Sequence, residues 1–152
     1  MIAKALQNDQ GVIVLGQTNN CVKQVAESLH RNRICSRDDM TLLVSPMYLS
    51  AHKREYDPSY SRTEIGHRYT PVVLSTLSMA KRLQGKDLQE FRNAAGNFQE
   101  RSTAFVDKGE RISLCSFAEL LPALGTAKRL VVFSDSEQDG PLFQKTNVCH
   151  AL

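Results

Sequence analysis

Chemistry at a phosphate needs backbone amides, a cation and a metal ligand held together, and three short stretches carry fragments of that set. Gly16 and Lys23 flank a polar turn, Gln17-Thr18-Asn19-Asn20. Ser102-Thr103-Ala104-Phe105-Val106 is a small-apolar run that ends in Asp107 and passes through Lys108-Gly109-Glu110-Arg111-Ile112-Ser113. Asp135 and Gln138 follow a third apolar run. An Asp at the C-terminal end of a buried strand is where open α/β sheets place metal- or phosphate-side residues. Each fragment lacks a part, however. A phosphate loop needs Gly-x4-Gly-Lys-[Ser/Thr], because amides must wrap the phosphates and a Lys must reach them. Here Gly16 has no second glycine, and Lys23 precedes Gln24, so no hydroxyl is placed for Mg²⁺. The carboxylate expected after Asp107 to position water is replaced by Lys108, and Glu110 lies two residues further on. Gly16, Lys23, Asp107, Asp135 and Gln138 therefore read as a degenerate nucleotide site, with no catalytic residue, metal or cofactor expected. Asp107 also suits a helix N-cap, and Asp135 and Gln138 suit turn chemistry.

A second constellation lies between residues 47 and 70. Tyr48, Tyr56, Tyr60 and Tyr69 are all four tyrosines of the chain, interleaved with His52, Lys53, Arg54, Arg62, His67 and Arg68. Aromatic faces stack unpaired bases and cations follow the phosphates, so this mixture fits single-stranded nucleic acid. Tyr48, Lys53, Arg54, Tyr56, Tyr60, Arg62, Arg68 and Tyr69 are the candidate DNA-binding residues. The same residues would equally build a solvated loop anchored by its tyrosines.

The elements that must position these groups alternate. Runs at 11–16, 40–44, 71–74, 103–106 and 130–133 read as strands buried on both faces. Cys21, Val25 and Leu29 recur at helical spacing as far as His30. Ser75 or Thr76 would cap a helix closed by Gly85, and a polar helix spans 88–98. The helix after the fourth strand is expected to bury Leu114, Phe117, Leu120 and Leu121, and one more is expected within 141–148. Residues 47–70 read as a long loop or short helices, and 1–10 as a lead-in or frayed helix.

Composition bounds the class. The chain has 152 residues, 41% hydrophobic and 23% charged, about one domain. No apolar run approaches the roughly 20 residues of a membrane span. The four cysteines form no metal-ligand spacing, as expected of a reducing cytosol. Residues 1–92 carry 13 Lys+Arg against 9 Asp+Glu, and residues 93–152 carry 6 against 7. The positive excess thus sits with the tyrosine-rich segment, a weak nucleic-acid signature.

A strand–loop–helix start, an Asp after a later strand and Asp-x-x-Gln after the next resemble the layout of a RecA-like motor domain. Asp135 and Gln138 match the Gly-Asp-x-x-Gln sensor of superfamily 1 helicases, with Ser134 replacing the glycine. Thr103-Ala-Phe-Val-Asp-Lys-Gly-Glu-Arg-Ile-Ser-Leu114, Leu120-Leu121 and Val131-Val-Phe-Ser-Asp-Ser-Glu-Gln138 are similar to the vestigial helicase-like module of F-type conjugative relaxase-helicases (TraI family). Met40-Thr-Leu-Leu-Val-Ser-Pro-Met-Tyr48 resembles that module's second strand and loop, while residues 57–99 match poorly. The resemblance implies an α/β, RecA-like three-layer fold with a mostly parallel five-stranded sheet over residues 11–152. It further implies a non-hydrolysing module that binds single-stranded DNA, bacterial and cytoplasmic, within or cut from a relaxase-helicase. A surface read by the coupling protein of the conjugative secretion machinery is the alternative, and a divergent NTPase the third. No residue matches a relaxase centre, so nicking is not expected.

Overall fold

The computed structural model describes residues 2–7, 11–64, 69–94, 102–107, 112–124 and 127–133. Its centre is β1 (Gly11–Gly16), buried at every position, as a strand with a parallel neighbour on each side must be. Around it are β2 (Met40–Leu43), β3 (Ser61–Arg62), β4 (Val72–Thr76), β5 (Ser102–Val106) and β6 (Arg129–Val132), in the order β3-β2-β4-β1-β5-β6. All described pairings are parallel. The five expected strands are present within one or two residues of their predicted limits. The sixth, β3, lies inside the segment read as a loop, and that segment also holds α3 (Pro46–Ala51) and a 3-10 turn at Lys53–Glu55.

Strand side chains alternate between two cores. Val12, Val14, Leu42, Val72, Leu74 and Phe105 face one, where α1 (Ile2–Gln7), α2 (Asn19–Arg31) and α3 pack. Ile13, Leu15, Leu43, Val73, Ala104 and Val106 face the other, against α4 (Leu77–Arg82), α5 (Gly85–Ala94) and α6 (Leu114–Leu124). The result is a three-layer α/β/α unit. The chain leaves β1 toward one face and β4 toward the other. Adjacent parallel strands whose helices diverge in this way define a switch point, where such sheets hold ligands.

Several local expectations change. Gly85 does not end a helix; α4 stops at Arg82, and Gly85, at φ +56°, opens α5 in a conformation that favours glycine. The helix expected over 88–98 is α5, at Gly85–Ala94. Phe117 and Leu120 are buried on α6 as expected, but Leu114 and Leu121 are 46% and 53% exposed. The α6 stripe that meets the core runs instead through Phe117, Leu120, Ala123 and Leu124. Ala5 of α1 is buried, so the N-terminal segment is packed on the core rather than a loose lead-in. The helix expected within 141–148 lies outside the described residues.

Candidate nucleic-acid interface

Two places at the C-terminal edge of the sheet compete for function, and the switch point comes first. Register sets Gly16 beside Thr76 and Leu15 beside Val106, so Gly16, Thr76 and Asp107 end adjacent strands. The Asp107 amide donates to Leu15 O at 3.0 Å, fixing the chain as it leaves β5. The sequence thus located this edge correctly for Gly16 and Asp107. The loop between β1 and α2 is only Gln17 and Thr18, though. Thr18 Oγ1 accepts from the Cys21 amide at 3.1 Å, so α2 caps itself with its own side chain. A Cβ on Gly16 would stand 2.8 Å from Val22 Cγ2. Gly16 is accordingly a contact between strand and helix, and no wide loop separates them.

Lys23 is not at this edge. It lies on the far flank of α2, its Nζ 5.4 Å from the centre of the Tyr56 ring, a cation–π contact. The residues directly after Asp107, whose amides it was expected to cap, lie outside the described residues; α6 begins at Leu114, where Ser113 Oγ accepts from the Ser116 amide at 3.1 Å. Thr76, not Ser75, caps α4, accepting from the Met79 amide at 3.2 Å. What remains at the switch point is a cavity of about 160 Å³, between Gln17, Ser78, Lys81, Ser116 and neighbours. Lys81 pairs there with Glu119 at 3.6 Å. Ligand clefts usually enclose roughly 300–1,000 Å³, and this one falls below that range. Asp135 and Gln138 lie outside the described residues.

The tyrosine-rich segment folds as a β2–α3–β3 edge. Ser45 caps α3, accepting from the Tyr48 amide at 3.3 Å, with Pro46 at the first helical position. Tyr48, half-buried, stacks on His52 with ring centres 4.2 Å apart, and His52 pairs with Glu55 at 3.3 Å. Lys53 and Arg54 follow immediately and are exposed. The ridge Tyr48–His52–Lys53–Arg54 therefore combines an aromatic pair with two cations. Tyr69 is 43% exposed, at the approach to β4.

Other candidates are employed elsewhere. Tyr56 and Tyr60 are 6% and 4% exposed and belong to the core beside α2. Their rings cannot stack a base here, because α2, β2 and Tyr48 already cover them. Burial pushes the Tyr56 phenol up, with Tyr48 adding to it; burial and then the Asp57 charge do the same to Tyr60. The Arg62 guanidinium donates to the carbonyls of Pro58, Ser59 and Ser61, closing the turn before β3. Asp57 holds that turn from the other side. Hydrogen bonds from Ser59 keep its carboxyl below the usual range, with Arg37 3.3 Å away. Arg68 lies outside the described residues. Among the described residues, no cluster of three His, Cys, Asp or Glu could hold a metal, and no helix is long and apolar enough to cross a membrane.

No family model and no curated protein matches the chain. A solved structure does: that of T4 UvsW, at a TM-score of 0.60 over 91% of this chain and 15% identity. The chain spans 24% of the length of that protein. The likeness is one of fold, and with the strand order and the two helical layers it supports a RecA-like three-layer α/β fold with a mostly parallel sheet.

Proposed function

We propose that this chain is a non-hydrolysing, helicase-like module that binds single-stranded DNA, and that it is part or a fragment of a conjugative relaxase-helicase. The observation that carries DNA binding is the Tyr48–His52 stack bracketed by Lys53 and Arg54, at the edge where the second strand ends. The two-residue β1–α2 connection and the self-capped helix favour a module without an ATP cycle. The relaxase-helicase assignment rests on the sequence resemblance alone.

Anisotropy titration of a labelled oligo-dT measures the central claim. Dissociation constants in the micromolar range are expected, rising steeply with salt. Arg54→Ala, by removing one phosphate contact, is expected to lower the salt slope by about 0.7. Tyr48→Ala should weaken binding about tenfold, the size of one lost base stack. Binding indifferent to salt and to both substitutions would refute the reading.

The alternative, a docking surface for the conjugative secretion machinery, is favoured by Leu114 and Leu121, seven residues apart and exposed on α6. Retention of a coupling protein after nuclease treatment would support it, and release by nuclease would count against it.

A further inference from the structure

A cavity of about 400 Å³ lies away from the switch point, between α3 and the edge strand β3. Pro46, Leu49 and Pro58 form apolar walls, and Lys53 reaches it from the exposed ridge. Tyr56 and Ser61 complete the lining. These two side chains share an unusual property. Both are more than nine-tenths buried, and neither hydroxyl makes a hydrogen bond of ordinary geometry, although the Tyr48 hydroxyl lies close enough to Tyr56 to raise its phenol. Buried hydroxyls are almost always satisfied, so two orphans around one cavity mark a place where a ligand completes the bonding. Each hydroxyl can both donate and accept, which suits the mixed edge of a heteroaromatic ring. The apolar walls suit the faces of such a ring, and Lys53 suits an anion attached to it. The volume is in the range of a small-ligand site.

We propose that this cavity takes one unpaired nucleotide of a bound single strand, its base turned inward against Leu49 and Pro58 and its phosphate on Lys53. In that arrangement Tyr56 Oη and Ser61 Oγ hydrogen-bond the base edge, and the Tyr48–His52 ridge carries the strand past the mouth. The proposal rests on the DNA-binding reading above, and deepens it from backbone tracking to capture of a base.

The test compares oligo-dT with an abasic strand of equal length, titrated against the full chain at fixed salt. A base-dependent gain of about tenfold is expected. Ser61→Ala, which removes one orphan hydroxyl, and Leu49→Trp, which fills the cavity, should each bring the ratio of the two affinities toward one. Ser61→Ala deletes an unpartnered polar atom and so keeps the test available should Leu49→Trp not fold. Equal affinity for the two strands would overturn base capture while leaving backbone binding intact. A ratio unaltered by either substitution would place the base contact elsewhere and also overturn it. Absence of binding to both strands at low salt would remove the DNA reading and this inference together.

Discussion

Gly16→Ala tests the claim that this glycine serves helix packing. The new Cβ would meet Val22 Cγ2 at 2.8 Å, whereas ordinary van der Waals contact begins near 3.4 Å. Val22 must therefore retreat by some tenths of an ångström. It is 1% exposed, and a β-branched side chain in a helix has essentially one rotamer, so the strain passes to the α2 backbone. Overpacking of this kind costs about 1–3 kcal/mol. For a chain of this size each kcal/mol lowers Tm by roughly 2–4 °C. Val22→Ala removes the opposing methyl at its own cost of about 1.6 kcal/mol for two methyl groups. In that background Gly16→Ala should be nearly neutral, a coupling of about 1 kcal/mol or more. Urea denaturation followed by circular dichroism, with constant m, measures all four corners of the cycle. A Gly16→Ala chain as stable as the parent, or an equal loss in both backgrounds, would refute the steric argument. The same titrations with millimolar Mg-ATP should show no shift. A ligand at 100 times its Kd would add about 2.7 kcal/mol, and such a gain would restore the NTPase reading.

Three further outcomes follow from burial and backbone geometry. Tyr56→Phe removes a buried hydroxyl without a partner and should be neutral or stabilising by up to about 1 kcal/mol, while Tyr56→Ala should cost about 3–5 kcal/mol; denaturant midpoints distinguish them. Burial, and secondarily the Asp39 charge, pushes the Cys35 thiol from its ordinary 9.0 up to about 11, and the Tyr56 and Tyr60 phenols also rise above 10.0. The folded chain thus holds protons that the unfolded chain releases. Stability should be complete below pH 9 and fall as pH climbs through 9 to 11, as urea midpoints across that range will report. Arg33 follows α2 at φ +56°, its amide bonded to His30 O at 3.1 Å and that of Ile34 to Leu29 O at 2.9 Å. Arg33→Gly relieves the left-handed strain and should raise stability by about 0.5–1 kcal/mol in thermal melts.

The parts of the fold legible in the sequence were those in which burial leaves no choice. Strands such as Val12–Leu15 and Val72–Leu74 are covered on both faces, so they appear as unbroken apolar runs. β3 carries no such mark. Ser61 and Arg62 become a strand only because Leu42 and Leu43 offer them a parallel edge, a tertiary effect. The tyrosines illustrate a sharper limit. Stacking a base and filling a core require the same ring, and a polar neighbourhood in sequence does not distinguish them. Tyr56 and Tyr60 went inward because α3 and the turn at 53–55 carry the chain back over α2. Lys23 was within reach of reasoning: with Val22, Ala26 and Leu29 on the buried stripe, position 23 falls on the flank of α2 and away from the end of β1.

The two sites at this sheet edge exclude different things. At the switch point Thr18 holds the Cys21 amide and Lys81 faces Glu119, while the Gln17 side-chain amide nitrogen is buried without a partner. The α3–β3 cavity is larger and has two such groups in its lining. The Tyr56 and Ser61 hydroxyls make no hydrogen bond of ordinary geometry, and a ligand entering could complete them. A buried polar group left without a partner costs about 1–3 kcal/mol. Completing those bonds would favour occupation of the edge cavity. On the proposal made above, binding would sit at the strand on the sheet's margin rather than at its centre.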